Sequence, residues 1–258
     1  MLLLSFALLV ATPDSARLPD SAHVRPAETV MAPAAAAPAR SRFISKLVVP
    51  AALLGYGALT VNKHANASAP NYHLRDELNE QFPRFRTRLD DYSRHAPLVA
   101  AYALPLAGLK GRYNAVDFTL LYAGAYLLNT TLTSQAKRLV GECRPGNAAD
   151  HSSFPSAHTS QAFLTATLLH EQYRGQSPWI GIGGYAVATA TGAMRMLNDK
   201  HWLSDVAAGA GLGVLSAEVA WRVYPWLRQR ISAPFARRLM LMPVAGPRMG
   251  GVAIALRP

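Results

Sequence analysis

The sequence predicts an all-α protein, a membrane helical bundle of about six helices, and three observations carry that prediction. Half of the 258 residues are hydrophobic and only 16% are charged, against about a quarter charged in ordinary soluble domains. Apolar stretches recur between polar breaks over residues 47–61, 96–109, 115–132, 154–169, 179–196 and 203–223, lengths that suit helices and not strands. Small residues recur at helical spacing: Gly184, Ala188 and Gly192 fall four apart, and Gly209 and Gly213 form a Gly-xxx-Gly pair. Such stripes let helix backbones approach closely inside a membrane bundle. Several stretches are shorter than the roughly 20 apolar residues of a comfortable bilayer span, so this is not a run of single-pass anchors.

Ahead of the first stretch, Met1 to Ala11 is apolar but too short to span, and Thr12 to Ala16 resembles the end of a signal peptide that lacks a basic n-region. Residues 25–39 are rich in Pro and Ala with no apolar periodicity, the composition of a linker. The expected organisation is therefore a signal-like segment and linker over 1–41, a helical bundle over 42–230, and a basic tail over 231–258. That tail alternates loosely and carries a hairpin signal at Gly246-Pro247. Cleavage of the leader would put the new N-terminus outside. Retention of the leader, an incomplete crossing by 47–61, or translation from Met31 are the alternatives. The single cysteine, Cys143, allows no intrachain disulfide, and no Cys/His zinc pattern is present.

Between the first two apolar stretches, Leu74, Leu78, Phe82, Phe85 and Leu89 recur every three or four residues. This predicts an amphipathic helix over 72–95, kinked at Pro83, with Arg84, Arg86 and Arg88 beside Asp90 and Asp91. It either lies on the membrane surface or packs on the bundle. The formal net charge of +11 fits arginines at cytoplasmic helix ends and, for a few residues, an anion site. Nucleic-acid binding is disfavoured, because the cations lie at helix ends and not along a polar face with interleaved aromatics.

Three polar clusters sit at helix ends, where they are costly without a task. In the first, Lys137 and Arg144 are two cations ahead of Pro145, suited to a phosphoryl group, Arg as a bidentate fork and Lys as a point charge. In the second, Pro155-Ser156-Ala157-His158 opens a helix; its free N–H groups and dipole favour an anion, Ser156 adds a hydroxyl, and His158 is able to protonate a leaving oxygen. In the third, His201 and Asp205 are four apart on one helix face. The carboxylate there can hold one ring nitrogen and leave the other as a nucleophile.

In order and spacing the three clusters resemble the signature of the type 2 phosphatidic acid phosphatase superfamily: K-x6-R-P, then P-S-G-H, then S-R-x5-H-x3-D. The first is present in full, the second has Ala157 for Gly, and the third has Met194 for Ser. The resemblance extends over residues 42–226, which look like a branch from the Bacteroidetes, including Arg88-Leu89-Asp90-Asp91-Tyr92 and the stretch from His201 to Gly211. It implies a phosphohistidine mechanism without metal or cofactor. Lys137, Arg144 and Arg195 would hold the phosphoryl oxygens, assisted by Ser156 and the amide of Ala157. His201 would attack, Asp205 orient it, and His158 protonate the leaving group. Ala157 adds a methyl where Gly allows closer approach, and Met194 removes a peripheral hydroxyl; neither touches the implied nucleophile, acid or cations.

The implied protein is a lipid-phosphate phosphatase of the bacterial inner membrane, its site at the extracytoplasmic helix ends and facing the periplasm. Undecaprenyl diphosphate, phosphatidylglycerol phosphate, phosphatidic acid and lipid A phosphates are the candidate substrates. A soluble acid phosphatase of the same fold, a vanadate-dependent haloperoxidase and a non-catalytic module for anionic lipid are the rivals. Oligomeric state is not legible.

Overall fold

The computed structural model describes the backbone of residues 39–61, 70–235, 239–246 and 249–256, and the side chains of 45–61 and 70–230. The signal-like segment, most of the linker and the side chains of the basic tail lie outside the described residues.

Each of the six apolar stretches forms a helix. They are α1 (Ala39–Thr60), α4 (Ala96–Ala103, extended by a 3-10 turn over Leu104–Ala107), α5 (Ala115–Val140), α6 (Ala157–Tyr173), α7 (Pro178–Leu197) and α8 (Leu203–Phe235). Local chemistry sets their ends. Asn114 caps α5 by accepting from the Asp117 N–H, and Gly141 closes it in the left-handed conformation, φ 62°. Ser177 caps α7 ahead of Pro178, which occupies the first helical position.

Two differences from expectation concern the remaining segments. The amphipathic stretch is not one kinked helix: it divides into α2 (Pro70–Gln81) and α3 (Leu89–Ser93). Pro83 has no N–H to continue the ladder and disfavours helical backbone at Phe82, so α2 stops just before it. The described helices therefore number eight. The all-α expectation also needs one correction, an antiparallel hairpin of β1 (Leu239–Gly246) and β2 (Met249–Leu256), with Gly246 opposite Met249. The loosely alternating sequence of the tail accounts for it.

The bundle is built around α6, which is buried along most of its length. Small residues set the spacing of its neighbours. A Cβ on Gly213 of α8 would lie 2.1 Å from the Ser160 carbonyl oxygen, and one on Gly209 would lie 2.6 Å from that of Ser156. On α7, Gly184 faces Leu169 and Ala166, Gly192 faces Thr159 and Val206, and Ala188 is fully buried. Away from these seams, Phe118, Leu121, Leu164, Leu168, Tyr173, Trp221 and Tyr224 form the main apolar core. The outward faces are also apolar: Val48 and Val49 of α1, Val116, Leu120 and Leu127 of α5, and Trp179 of α7 are exposed. Among the described residues, 203–230 form the one helix long and apolar enough to cross a membrane.

Candidate active site

All three polar clusters meet at the end of the bundle where α5 and α7 finish and α6 and α8 begin. Backbone hydrogen bonds tie this end together: Gly146 N–H donates to the Asp199 carbonyl and Ser156 N–H to that of Asp205, while Ser153 N–H donates to that of Glu142 within the α5–α6 connection. The Trp202 indole donates to the Cys143 carbonyl at 2.8 Å. Gly146 is required by this join, since a Cβ there would lie 2.7 Å from the Asp199 oxygen. From the outside, Asn71 of α2 exchanges two 3.1 Å hydrogen bonds with Ser204 at the start of α8. Arg75 grips Asp199 with two hydrogen bonds while lying over the Trp202 ring.

His201 is buried, with Nδ1 3.3 Å from Asp205 Oδ2 and 3.4 Å from Ser153 Oγ. The same Asp205 oxygen accepts from the Ser153 hydroxyl and from the Trp202 N–H at 2.8 Å. Asp205 is thus fixed by groups other than its histidine, the condition for a carboxylate to orient a ring. Burial is the main cause that lowers the His201 pKa to about 4, with Asp205 opposing it and Arg195 and Lys137 adding to it. The ring is therefore neutral across the physiological range.

Ser156 is the N-cap of α6; its oxygen accepts from the Thr159 N–H and, at 2.9 Å, from the Thr159 hydroxyl. It is fully buried. Ala157 begins the helix, and His158 places Nε2 2.8 Å from Asp91 Oδ1. Burial lowers the His158 pKa to about 4, aided by Arg195 and Arg94 and opposed by the Asp91 hydrogen bond and charge.

The cations arrive from both loops. Lys137, in the last turn of α5, donates to the carbonyls of Ser152 and Ser153. Arg144 pairs through Nε with Asp150 at 2.7 Å, and its Nη2 is 3.4 Å from Ser152 Oγ. Arg195, buried in the last turn of α7, pairs with Asp90. Arg144 and Arg195 line a cavity of about 640 Å³ together with Asp90, Asp91 and Asp150. Lys137 and Ala157 instead line a second cavity of about 180 Å³. His201 borders neither; it touches a small gap beside Arg75 and Trp202. The implied site residues are thus within electrostatic reach of one another, but three separate spaces divide them in this conformation.

Asp90, Asp91, Asp150 and Ser153 take part in this end of the bundle without having been assigned to it from the sequence. Asp90 also accepts from Asn198 Nδ2 at 3.3 Å. Two adjacent carboxylates in a chain of net charge +11 were the available signal; the apolar repeat around them read as the polar face of a longer helix. Of the remaining histidines near the motifs, His151 is exposed beside Cys143 Sγ at 3.2 Å. Among the described residues no group of three or more His, Cys, Asp or Glu side chains is placed to hold a metal ion.

Three motifs converge here from four helices, and residues 118–229 match the family model of the PAP2 superfamily. The match includes every implied site residue. The chain is similar to Lipid A 1-phosphatase of Porphyromonas gingivalis, 38% identical over 138 residues, covering 53% of this chain and 31% of that protein. It is also similar to Probable lipid phosphate phosphatase beta of Arabidopsis thaliana, 34% identical over 99 residues, 29% of this chain and 46% of that one. The chain thus matches between about a third and a half of the length of these curated relatives. Among solved structures, that of Aquifex aeolicus LpxE superposes with a TM-score of 0.46 at 24% identity, covering 63% of this chain and 99% of the other. The Bacillus subtilis PAP2 type phosphatidylglycerolphosphate phosphatase gives 0.43 at 19%, covering 72% and 98%.

Proposed function

We propose that this protein hydrolyses a lipid phosphate, monoester or diphosphate, through a phosphohistidine on His201. The observation that carries the reading is the buried, neutral His201 held at Nδ1 by an independently anchored Asp205, within the field of Lys137 and Arg195. A proton on Nδ1 satisfies Asp205 and leaves the Nε2 lone pair for phosphorus.

In the first step Nε2 forms the N–P bond as the bond from phosphorus to the ester oxygen breaks, and that oxygen takes a proton from His158. In the second step His158 accepts a proton from water, whose oxygen attacks phosphorus; the N–P bond breaks and phosphate leaves. Throughout, Lys137, Arg144, Arg195, the α6 amides and Ser156 balance charge on the three equatorial oxygens, which is most of what phosphoryl transfer asks of a protein. Arg144 and Arg195 are held by Asp150 and Asp90 until an anion arrives.

The apolar outer faces of α1, α5 and α7 and the long apolar α8 support a bundle seated in a bilayer. The site then lies at one membrane face, the periplasmic face of a bacterial inner membrane, and the substrate is a lipid headgroup. The names of the relatives support lipid phosphates, including the 1-phosphate of lipid A, over small soluble esters.

The experiment is phosphate release in detergent, with EDTA, from a panel of lipid phosphates and p-nitrophenyl phosphate, for wild type and His201→Ala. Release from lipids that survives EDTA and disappears in the variant is expected. Equal release by the variant would refute the role of His201, and binding without release would leave a lipid-binding module.

A further inference from the structure

A histidine that protonates a leaving oxygen needs its charged form, and the surroundings of His158 oppose that form. Burial acts against it first, and Arg195 of α7 and Arg94, just ahead of α4, add to the effect. Asp91 of α3 is the group on the other side of the balance. It reaches the first turn of α6, where its Oδ1 lies 2.8 Å from His158 Nε2. His158 makes no other hydrogen bond among the described residues, so Asp91 occupies one ring nitrogen and Nδ1 stays unengaged.

The placement of Asp91 is over-determined for so short an element. A five-residue helix does not hold itself together in isolation, and α3 is pinned to α7 on either side of Asp91. Thr87 exchanges two 3.0 Å hydrogen bonds with Asn198, Asp90 pairs with Arg195, and the Ser93 hydroxyl lies 2.8 Å from that of Thr191. The contact these anchors support has little structural worth of its own. Its side chains are 50% exposed at Asp91 and 20% at His158, and a pair that open to water adds little to stability. Asp91 also lines the cavity of about 640 Å³ beside Arg144 and Arg195, so its carboxylate opens on the same space as two of the cations that would hold the phosphoryl group.

We propose that Asp91 is the positioning residue of the general acid, holding His158 by its Nε2–H so that Nδ1 serves the leaving oxygen. The proposal rests on the phosphatase reading. In the first step Nδ1–H gives its proton to the ester oxygen as the bond from phosphorus to that oxygen breaks. The ring returns to its neutral form with the remaining proton on Nε2, facing Asp91. In the second step Nδ1 takes a proton from water as the water oxygen attacks phosphorus. Asp91 stays ionised throughout and moves no proton, the part a carboxylate plays behind a catalytic histidine. Its neighbour Asp90 holds Arg195 instead, so two adjacent carboxylates have separable tasks.

The experiment measures kcat/KM against pH in detergent micelles for wild type, Asp91→Asn, Asp91→Glu and Asp90→Asn, with phosphatidic acid and p-nitrophenyl phosphate as substrates. An alkoxide needs a proton to leave and p-nitrophenolate does not, so the two esters differ in their demand for the acid. Asp91→Asn should lower turnover of phosphatidic acid by about tenfold, inside the 10²–10⁴ that general acid catalysis supplies, and that of p-nitrophenyl phosphate by less than about twofold. On phosphatidic acid alone, the limb that falls with rising pH should move to lower pH, because the imidazolium has lost its anion. Asp91→Glu should recover part of both effects. Asp90→Asn, which acts through Arg195, should lower the two esters alike. Equal losses on both esters in Asp91→Asn with the limb unmoved would overturn the proposal and leave the phosphatase standing, as would a gain in activity, which would make Asp91 a group that blocks the acid. If Asp91→Asn does not fold, the same readouts on Asp91→Glu decide, with a smaller loss on phosphatidic acid than on the aryl ester overturning it. No turnover of either ester by wild type would remove the phosphatase reading and the proposal with it.

Discussion

Ionisable side chains gather around both ends of helix α6, and the two ends handle them differently. At the far end, Glu171 of α6 and Glu218 of α8 share Lys46 of α1, with Arg174 beside Glu171. Asp117, Tyr224 and Arg228 form a second closed group at the same end. Each carboxylate there faces a cation, and the groups join helices to one another. At the near end, His201 and His158 are neutral rings each tied to a carboxylate, while Lys137 donates only to backbone carbonyls. A set of charges complete in itself fixes a fold. A cation bonded only to carbonyls, beside two neutral rings, is what the proposed phosphoryl transfer would use.

Four substitutions test that contrast between the two ends. The largest effect is expected for His201→Ala, which should reduce lipid phosphate turnover by on the order of 10³-fold or more with folding intact, checked by phosphate release and a melting curve. Asp90→Ala comes next. It leaves the Arg195 guanidinium buried without its carboxylate, and thermal or denaturant unfolding should show a loss of about 3–5 kcal/mol. Gly213→Ala should cost about 1–3 kcal/mol, because its Cβ would meet the Ser160 carbonyl and push α8 from α6; the same unfolding assay reads it. Lys46→Met, at the far end, should cost about 1–3 kcal/mol of stability while turnover per folded molecule stays at the wild-type level. A large loss of kcat in Lys46→Met would erase the distinction between the two ends.

The candidate site's motifs were more legible than the contacts around them. The Lys137, Arg144, Ser156, His158, Arg195, His201 and Asp205 pattern stands in sequence because each residue's position on its own helix end is local. The six apolar helices were legible for the same reason, through periodicity. What the sequence concealed was long-range. Asp90 and Asp91 reach Arg195 and His158 across more than sixty residues, and only the break at Pro83 frees their short helix to turn inward. The carbonyl partners of Lys137 and the join of Gly146 to Asp199 depend on loop conformations that periodicity does not encode.

The low pKa values of His201 and His158, about 4 in each case, separate activity from stability. Both are below the ordinary imidazole value near 6.5, so between about pH 6.5 and 4 the unfolded chain binds more protons than the folded one. Their contribution to stability is complete above about pH 6.5 and is lost as pH falls towards 4. The proposed mechanism runs the other way over that range, since it asks His158 to carry a proton while His201 stays neutral. kcat/KM should therefore be highest on the acid side of neutrality and fall as pH rises, while the melting temperature rises.

The proposed mechanism passes through a covalent phosphoryl group on His201, and trapping that group tests it. Enzyme mixed with a turned-over lipid phosphate, quenched in denaturant at alkaline pH within one turnover and mapped by peptide mass spectrometry, should carry acid-labile phosphate on His201. His201→Ala should carry none. Steady turnover with phosphate on no residue, or on a residue other than His201, would rule out His201 as the nucleophile.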